Sequence, residues 1–360
     1  MQNMEACRKK KLFENRVTYL TVVILLLIAL IFSLLFAVTI GSTSIPFSDV
    51  YHVIFYKLFG IGDPVWGSGK IHDVVWFIRL PRLILAAAIG MGLSICGVVM
   101  QAVVKNPLAE PYVLGISSGA SLGATLSIML GVGTLFGPNY IGVMACLGAF
   151  LISIGVVAIA NIGGRATSVK LLLAGMALSS LCGAFSSFIV YFSNDQEGMK
   201  TVSYWMMGSL SGASWENNMI VVPLSILGVL FFWTQYRKLN LMLLGDESAM
   251  TLGTDLHPWR NLYLLVASLI IGFAVYCAGV IGFVGLVIPH IVRMFFGTDH
   301  KKLIPMCAIV GAIFLIWADV LCRVIIEGME LPIGVLTSMI GAPCFIYLMV
   351  RKRYGFGGKE

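Results

Sequence analysis

The chain has 360 residues, of which 59% are hydrophobic and 11% are charged, and its mean hydropathy is +0.94. A soluble domain carries about 25% charged residues, so the composition excludes a soluble globular protein. The formal net charge of +7 does not indicate a nucleic-acid partner, because the basic residues lie between apolar runs. The sequence therefore predicts a polytopic membrane protein whose main surroundings are the lipid bilayer.

Ten apolar runs are long enough to cross a bilayer, which takes about 20 residues each. Lipid offers the backbone no hydrogen bonds, so these runs predict transmembrane helices and an all-α fold. The first run is longer than the apolar core of a signal peptide and is expected to remain as a span. The predicted spans are 18–40, 80–105, 112–132, 139–161, 169–192, 215–236, 259–278, 280–296, 303–326 and 332–350.

The lysines and arginines predict the orientation of this single polytopic domain. With both termini in the cytoplasm, 18 of the 24 basic residues lie on the inner side, as the positive-inside rule requires. Residues 1–17 and 351–360 are then cytoplasmic. Arg79, Arg82 and Arg323 lie on the outer side, against the rule. Their side chains either reach lipid headgroups or form a positive docking site for an acidic partner, and composition alone does not decide between the two.

Two connections are longer than simple turns. The external segment 41–78 is partly amphipathic and is expected to lie along the membrane surface. The internal segment 237–258, "RKLNLMLLGDESAMTLGTDLHP", mixes apolar and acidic residues. It is predicted to form two short helices broken at Gly245 and Gly253. Apolar residues in a polar loop indicate a partner surface in the cytoplasm.

Enzyme motifs are missing from the sequence. The stretch "GSGKI" at 67–71 is not a phosphate-binding loop, because Pro64 and Ile71 stand where glycine and serine or threonine are needed. The eight cysteines contain no C-x-x-C pair, and the five histidines are scattered. We therefore predict no catalytic residue, no metal site and no cofactor bound by this chain.

Asp319 is the one acidic residue deep within a predicted span. It precedes Arg323 by four residues, so both lie on one helix face and are predicted to pair. The alternative is an ion-coupled secondary transporter that uses Asp319, although such carriers usually need more acidic or histidine relays. Gly115, Gly119 and Gly123 have the spacing that lets two helices approach closely.

Six segments in order carry a family resemblance. They are "RLPR" at 79–82, "KNPLAEPYVLGISSGASLGA" at 105–124, "YWMMGSLSGASW" at 204–215, "LGDESAMTLGTD" at 244–255, "AGVIGFVGLVIPHIVR" at 278–293 and "ELPIGVLTSMIGAPCFIYL" at 330–348. Together they resemble the permease subunits of bacterial ABC importers for iron chelates, haem and cobalamin, the FecCD or BtuC type. The resemblance covers nearly the whole chain.

The resemblance implies an architecture and partners. Such permeases have ten helices with an inverted pseudo-repeat, and they dimerise with a second copy, or a close paralogue, around a central pathway. Two cytoplasmic ATP-binding subunits hydrolyse the ATP, and an external binding protein delivers the cargo, so the permease itself is not an enzyme. The expected location is the bacterial cytoplasmic membrane, and the expected mechanism is alternating access. The sequence does not name the cargo, for which an iron–siderophore is the first expectation, followed by haem and cobalamin.

The resemblance also implies roles for particular residues. Arg79, Arg82 and Arg323 match arginines that pair with glutamates of the binding protein, which favours docking over headgroup contact. Asn106, Pro107 and Leu108 match a cytoplasmic gate loop, and Thr167 and Ser168 match a second constriction. The residues that match the helices which couple the permease to the ATPase are Leu244, Gly245, Asp246, Glu247, Ala249, Leu252 and Gly253.

Overall fold

The computed structural model describes residues 16–41, 45–110 and 114–351, and its regular structure in these ranges is helical. The α-helices are α1 (Arg16–Thr39), α2 (Phe47–Phe59), α3 (Lys70–Val104), α4 (Ile116–Leu130), α5 (Tyr140–Asn161), α6 (Ser168–Ser193), α7 (Gln196–Met206), α8 (Trp215–Thr234), α9 (Tyr236–Leu244), α10 (Asp246–Thr251), α11 (His257–Ala278), α12 (Val284–Phe296), α13 (His300–Val324) and α14 (Ile333–Arg351). Short 3-10 turns lie at Pro64–Gly67 and Thr134–Phe136.

Each of the ten predicted spans coincides with a helix. Seven helices, α1, α3, α5, α6, α8, α11 and α13, are long and apolar enough to cross a membrane, and α4, α12 and α14 are shorter apolar helices. α12 begins at Val284, four residues after the predicted start, because Phe283 has a left-handed backbone (φ 66°) that ends helical geometry on its N-terminal side. The all-α membrane fold predicted from the apolar runs is confirmed.

α3 is the central helix, packed between α8, α11, α12 and α13. Nearly all of its side chains from Leu80 to Val104 are buried. Close approach depends on glycine at two crossings. A Cβ atom on Gly97 would lie 1.8 Å from the carbonyl oxygen of Gly285 in α12, and one on Gly90 would lie 2.2 Å from that of Gly311 in α13. Backbones therefore touch at both crossings.

α3 begins at Lys70, ten residues before the predicted start of the second span. The predicted external segment 41–78 thus contains α2 and the first turns of α3. The apolar run alone placed the start too late, because polar side chains interrupt it without ending the helix. Val74–Arg79 forms a π-helical turn in which Leu80 N–H bonds to the carbonyl of Val75.

α4 and α5 pack tightly through the glycine spacing identified in the sequence. A Cβ atom on Gly123 would lie 2.1 Å from the carbonyl oxygen of Met144, and one on Gly119 would lie 2.5 Å from that of Gly148. The predicted close packing is confirmed for these two glycines, whereas Gly115 caps the start of α4 with a left-handed backbone.

The bundle has two ends, which we name by their contents. Leu80–Val104 has 25 residues, which at a rise of 1.5 Å per residue separates its ends by about 37 Å. The arginine end contains the start of α3 and the end of α13. The α10 end contains the end of α3, the α9–α10 segment (236–252, which is α9, α10 and Leu252) and the start of α11. The predicted break at Gly245 separates α9 from α10.

Candidate functional site

The arginine end holds a network of charged side chains around Arg82. Its Nε donates to Asp319 Oδ1 at 2.7 Å, and its NH1 contacts both carboxylate oxygens of Glu330 at 2.9 Å. Asp319 also lies 3.1 Å from Arg323 Nε, which confirms the pair predicted from the spacing of four residues. Asp319 is fully buried, whereas the side chain of Glu330 is 52% exposed.

Arg79 and Arg323 bind the end of α1. Arg79 NH1 donates to the carbonyl oxygens of Val38 and Thr39 at 2.8 and 3.1 Å, and Arg323 NH1 donates to that of Ile40 at 2.9 Å. The carbonyls of Val38 and Thr39 have no partner within α1, because they belong to its last turn, and Ile40 follows the helix directly. The guanidinium groups therefore cap α1 and hold it against α3 and α13.

The structure thus brings the three sequence-predicted arginines together and buries them. The side chains of Arg82 and Arg323 are each 7% exposed. Sequence reasoning missed Glu330 as a partner of Arg82, although the residue lies within a quoted segment. The sequence feature that could have identified Glu330 is its position as an acidic residue just before the last predicted span, on the side where the arginines were expected.

The α10 end also holds a buried arginine. Arg260, in the first turn of α11, is 1% exposed and donates from NH2 to Asp246 Oδ1 at 2.5 Å and from NH1 to the carbonyl oxygen of Ala166 at 3.0 Å. Lys105 Nζ lies 3.6 Å from the same oxygen of Asp246. Sequence reasoning missed Arg260, whose signal was a lone arginine at the start of an apolar run.

The charges around Asp246 set its protonation. Partial burial by itself raises the pKa of this carboxyl, but the hydrogen bond and charge of Arg260 and the charge of Lys105 outweigh burial. The pKa of Asp246 is therefore held below its usual range, and the side chain is an anion at neutral pH.

The α3–α4 loop contains the predicted gate residues. Asn106 Oδ1 accepts a hydrogen bond from Leu108 N–H at 2.9 Å, which closes a short turn around Pro107. Leu108 is 38% exposed. The carboxylate of Glu110 accepts from the backbone N–H of Phe283, so the loop is tied to the break between α11 and α12. Burial raises the pKa of Glu110, and this hydrogen bond only partly offsets the rise.

The predicted second constriction adjoins the first. Thr167 caps α6 by accepting from Lys170 N–H at 3.3 Å, and Ser168 Oγ donates to the carbonyl oxygen of Val103 at 3.2 Å. The α5–α6 loop therefore contacts the last turn of α3, two residues before the α3–α4 loop begins. Both sets of predicted gate residues lie at the α10 end.

The α9–α10 segment exposes apolar side chains outside the apolar spans. Leu244, Met250 and Leu252 are 64%, 52% and 63% exposed, whereas Ala249 is buried and anchors α10. Gly245 and Gly253 flank α10 with left-handed φ angles of 108° and 77°. Glu247 is exposed on the same short helix. An exposed apolar surface on a charged segment is typical of a protein-binding site.

A comparison with protein families identifies this arrangement. The model of the FecCD transport family matches residues 26–351, which include part of α1, the other nine apolar helices and both charged ends. The chain belongs to the FecCD family. Its members include permeases of ABC importers, and the resemblance read from the six segments is confirmed.

Relatives of this FecCD protein are similar over most of their length. The chain is 39% identical over 329 residues to an uncharacterized ABC transporter permease protein, YvrB of Bacillus subtilis, covering 90% of this chain and 91% of the relative. It is 41% identical over 287 residues to the vitamin B12 import system permease protein BtuC of Salmonella typhi, covering 79% and 86%.

A solved structure has the same fold. It is described as an inward-facing conformation of a metal-chelate type ABC transporter, and it superposes with a TM-score of 0.78 at 29% identity. The match covers 92% of this chain and 99% of the other. The FecCD protein is therefore a multi-span ABC importer permease, a transport subunit of a class that works as dimers with ATPase subunits.

Proposed function

We propose that this permease carries a metal chelate, an iron–siderophore, haem or cobalamin, from an external binding protein into the cytoplasm by alternating access. Two relatives support the chemical class, because one imports vitamin B12 and another is of metal-chelate type. The chain works as a homodimer, or with a close paralogue, in the bacterial cytoplasmic membrane. Both termini are cytoplasmic, in keeping with the distribution of lysine and arginine.

The exposed apolar side chains of the α9–α10 segment carry this proposal. Leu244, Met250 and Leu252 lie outside the apolar helices, and the described part of the chain leaves each of them more than half exposed. An ATPase subunit that buries them would gain about 25 cal/mol for each Å² of apolar surface removed from water. Asp246 and Glu247 would lie near the rim of that contact. ATP is then bound and hydrolysed by the partner and not by this chain.

The arginine end is the proposed docking site for the external binding protein. Glu330 is 52% exposed, and its contact with Arg82 is therefore open to exchange with a carboxylate of the partner. Arginine suits this role, because its planar fork binds a carboxylate with two hydrogen bonds. Arg79 and Arg323 would add positive potential around the exchanged carboxylate.

Asn106, Pro107 and Leu108 are proposed to close the pathway on the cytoplasmic side, together with Thr167 and Ser168. The contact between Ser168 and the carbonyl of Val103 supports a joint movement of the two loops. ATP binding in the partner shifts α10, the loops open, and hydrolysis returns them to the closed arrangement.

An ion-coupled secondary transporter that uses Asp319 is the other function considered from the sequence. The geometry disfavours it, because Asp319 is fully buried and each of its carboxylate oxygens already contacts an arginine of this chain, Arg82 at 2.7 Å and Arg323 at 3.1 Å. Membership of an ABC permease family also favours the ATP-driven importer.

The test is uptake by proteoliposomes that contain this chain, its ATPase and its binding protein. Labelled ferric siderophore, haem and cobalamin are offered in parallel, with ATP or with a non-hydrolysable analogue. We expect ATP-dependent accumulation of one cargo, which names the substrate, and none with a hydrolysis-deficient ATPase subunit. Uptake driven by a proton or sodium gradient without ATP, and abolished by Asp319→Asn, would overturn the proposal.

The docking site needs a gentler probe than charge reversal. Arg82→Glu would place a third carboxylate beside Asp319 and Glu330 and would disrupt the fold as well as docking. Arg82→Lys keeps the charge but loses the two-pronged contact. We expect Arg82→Lys to weaken binding of the binding protein about tenfold in a surface-binding assay, with uptake at saturating binding protein nearly normal. Unchanged affinity would exclude Arg82 from the docking site.

A further inference from the structure

One carboxylate at the α10 end, that of Asp246, connects three parts of the chain. Asp246 Oδ1 contacts Arg260 NH2 at 2.5 Å and lies 3.6 Å from Lys105 Nζ. Asp246 begins α10, Arg260 lies in the first turn of α11, and Lys105 is the first residue after α3. The carboxylate therefore joins the proposed ATPase-binding segment directly to the residue that precedes Asn106.

Arg260 extends the same network to the second gate loop. Its other terminal nitrogen donates to the carbonyl oxygen of Ala166, which lies just before Thr167 and Ser168. A side chain that is 1% exposed and bound at both terminal nitrogens has little freedom to reorient. Arg260 thus holds a fixed position and connects the α5–α6 loop to Asp246.

Lys105 has the freedom that Arg260 lacks. Its side chain is 30% exposed, and its backbone is left-handed, with φ 57° and ψ 32°. A non-glycine residue in this region costs about 1–2 kcal/mol. Among the described residues, Asp246 is the ion-pair partner of the Lys105 side chain. Its attraction offsets the cost of this backbone conformation. Loss of the contact would favour a different backbone at the start of the α3–α4 loop.

α10 is a short helix between two glycines, which would allow it to shift as a unit. It has six residues and is flanked by Gly245 and Gly253, whose φ angles of 108° and 77° suit glycine. Force applied to its exposed face through Met250 and Leu252 would therefore shift Asp246 relative to the bundle. Arg260 would remain in place, and Lys105 would follow the carboxylate or lose it.

We infer that Asp246 is the positioning residue through which α10 sets the conformation of the α3–α4 loop, by holding or releasing Lys105. The inference rests on the proposed function, because it takes the α9–α10 segment as the ATPase contact. It adds a defined link between nucleotide-driven movement and the gate. A neutral residue in place of Lys105 breaks the link and leaves the exposed apolar side chains of the α9–α10 segment unchanged.

The competing explanation is that Asp246 only stabilises the fold. In that case Asp246→Asn would change assembly and thermal stability, but not the number of cargo molecules imported per ATP hydrolysed. The ratio of cargo molecules imported to ATP molecules hydrolysed separates the two, because a folded but uncoupled complex still hydrolyses ATP. This ratio is measured in proteoliposomes with the complete transporter.

The variants are Asp246→Asn, Lys105→Met and the double variant. Asp255→Asn is the matched control, because Asp255 forms a similar ion pair with Arg165 at 3.4 Å in the same region without contacting Lys105. For Lys105→Met, which lies outside the proposed ATPase contact, we expect hydrolysis within about twofold of wild type. Uptake per ATP should fall about tenfold in both single variants, the usual size of coupling between two sites. The control should stay at the wild-type ratio.

The double variant gives the decisive readout. If Asp246 and Lys105 act through each other, the double variant also loses about tenfold, whereas independent roles predict a loss of about a hundredfold. Lys105→Arg, which keeps the charge, should retain the wild-type ratio. If Asp246→Asn does not assemble, Lys105→Met and Lys105→Arg alone decide the question, because Lys105 lies at the surface.

An unchanged ratio in Asp246→Asn or in Lys105→Met would overturn the inference, as would multiplicative losses in the double variant. These outcomes are distinct from failure of the proposed function. If the proposed function were wrong, the wild-type complex itself would show no ATP-dependent uptake of any of the three cargoes.

Discussion

The two ends of the bundle use the same chemistry in opposite arrangements. At the arginine end the shared acid, Asp319, is fully buried, and two arginines converge on it from α3 and α13. At the α10 end the arginine is buried too, but the shared acid, Asp246, is 43% exposed on a six-residue helix. A buried acid between fixed helices locks them together. An exposed acid on a short segment makes a contact that can be exchanged.

The energetic reason is desolvation. Removing a charge from water is costly, so a buried acid is stable only while its partners stay in place. A half-exposed acid keeps part of its hydration, and the loss of its partner is less costly. The comparison therefore predicts that substitutions at the arginine end change stability and that substitutions at the α10 end chiefly change coupling.

The largest effect is expected for Asp319→Asn. This change leaves Arg323 buried without a carboxylate and removes one of the two that bind Arg82, so the free energy of unfolding should fall by about 3–5 kcal/mol. The measurement is unfolding by detergent titration in mixed micelles. Asp73→Asn serves as the control, because Asp73 is 62% exposed, and it should change the value by less than about 0.5 kcal/mol. Equal effects of the two would contradict the locked arrangement.

Asp246→Asn should have a smaller effect on the same measurement. Its carboxylate is 43% exposed, and Arg260 and Lys105 both contact the same oxygen, Oδ1. The amide oxygen of asparagine can still accept from the buried Arg260, so the free energy of unfolding should fall by only about 1 kcal/mol. A loss as large as that for Asp319→Asn would remove the distinction between the ends and would favour a purely structural role for Asp246.

The difference in free energy of unfolding between wild type and Asp246→Asn should depend on pH, and this dependence tests which group is responsible. The pKa of Asp246 is below its usual range in the folded protein, so its stabilising effect is complete above the unfolded pKa of about 3.9. The difference between wild type and Asp246→Asn should be constant from about pH 8 to pH 5 and should shrink as the pH falls below about 4. A difference that disappeared near pH 7 would place the titration on another group.

Glu330→Gln should have a modest effect at the arginine end. Arg82 keeps Asp319, and Glu330 is half exposed, so the free energy of unfolding should fall by about 0.5 kcal/mol. With a competing carboxylate removed, affinity for the binding protein should rise. Surface-binding measurements on wild type and Glu330→Gln check this, and weaker binding would contradict the exchange of Glu330 for a partner carboxylate.

Most of the fold could be predicted because lipid imposes a simple rule on the backbone. The ten apolar runs are helices, and the glycine spacing in α4 indicated a close contact that the structure contains. The start of α3 was placed too late, because buried polar residues such as His72 and Arg79 look like a loop in a hydropathy pattern. Tertiary contacts made those residues compatible with a helix.

The sites could be predicted only where local spacing determines contact. Asp319 and Arg323 lie four residues apart, and their pair was predictable. Arg82 and Asp319 are separated by 237 residues, and Arg260 meets Asp246 only because α11 returns beside α10. No local pattern contains such distances. The three arginines were still recognisable, because the predicted orientation places them on the outer side, against the charge rule.

The most direct test of the contrast between the ends is a pair of distances measured by pulsed electron paramagnetic resonance on the complete transporter. One spin-label pair joins Met250 on α10 to Phe295 on α12, and the other joins Ile78 on α3 to Ile325 after α13; all four residues are exposed. The account predicts that addition of ATP shifts the first distance and leaves the second unchanged. A fixed first distance with a shifting second one would contradict it.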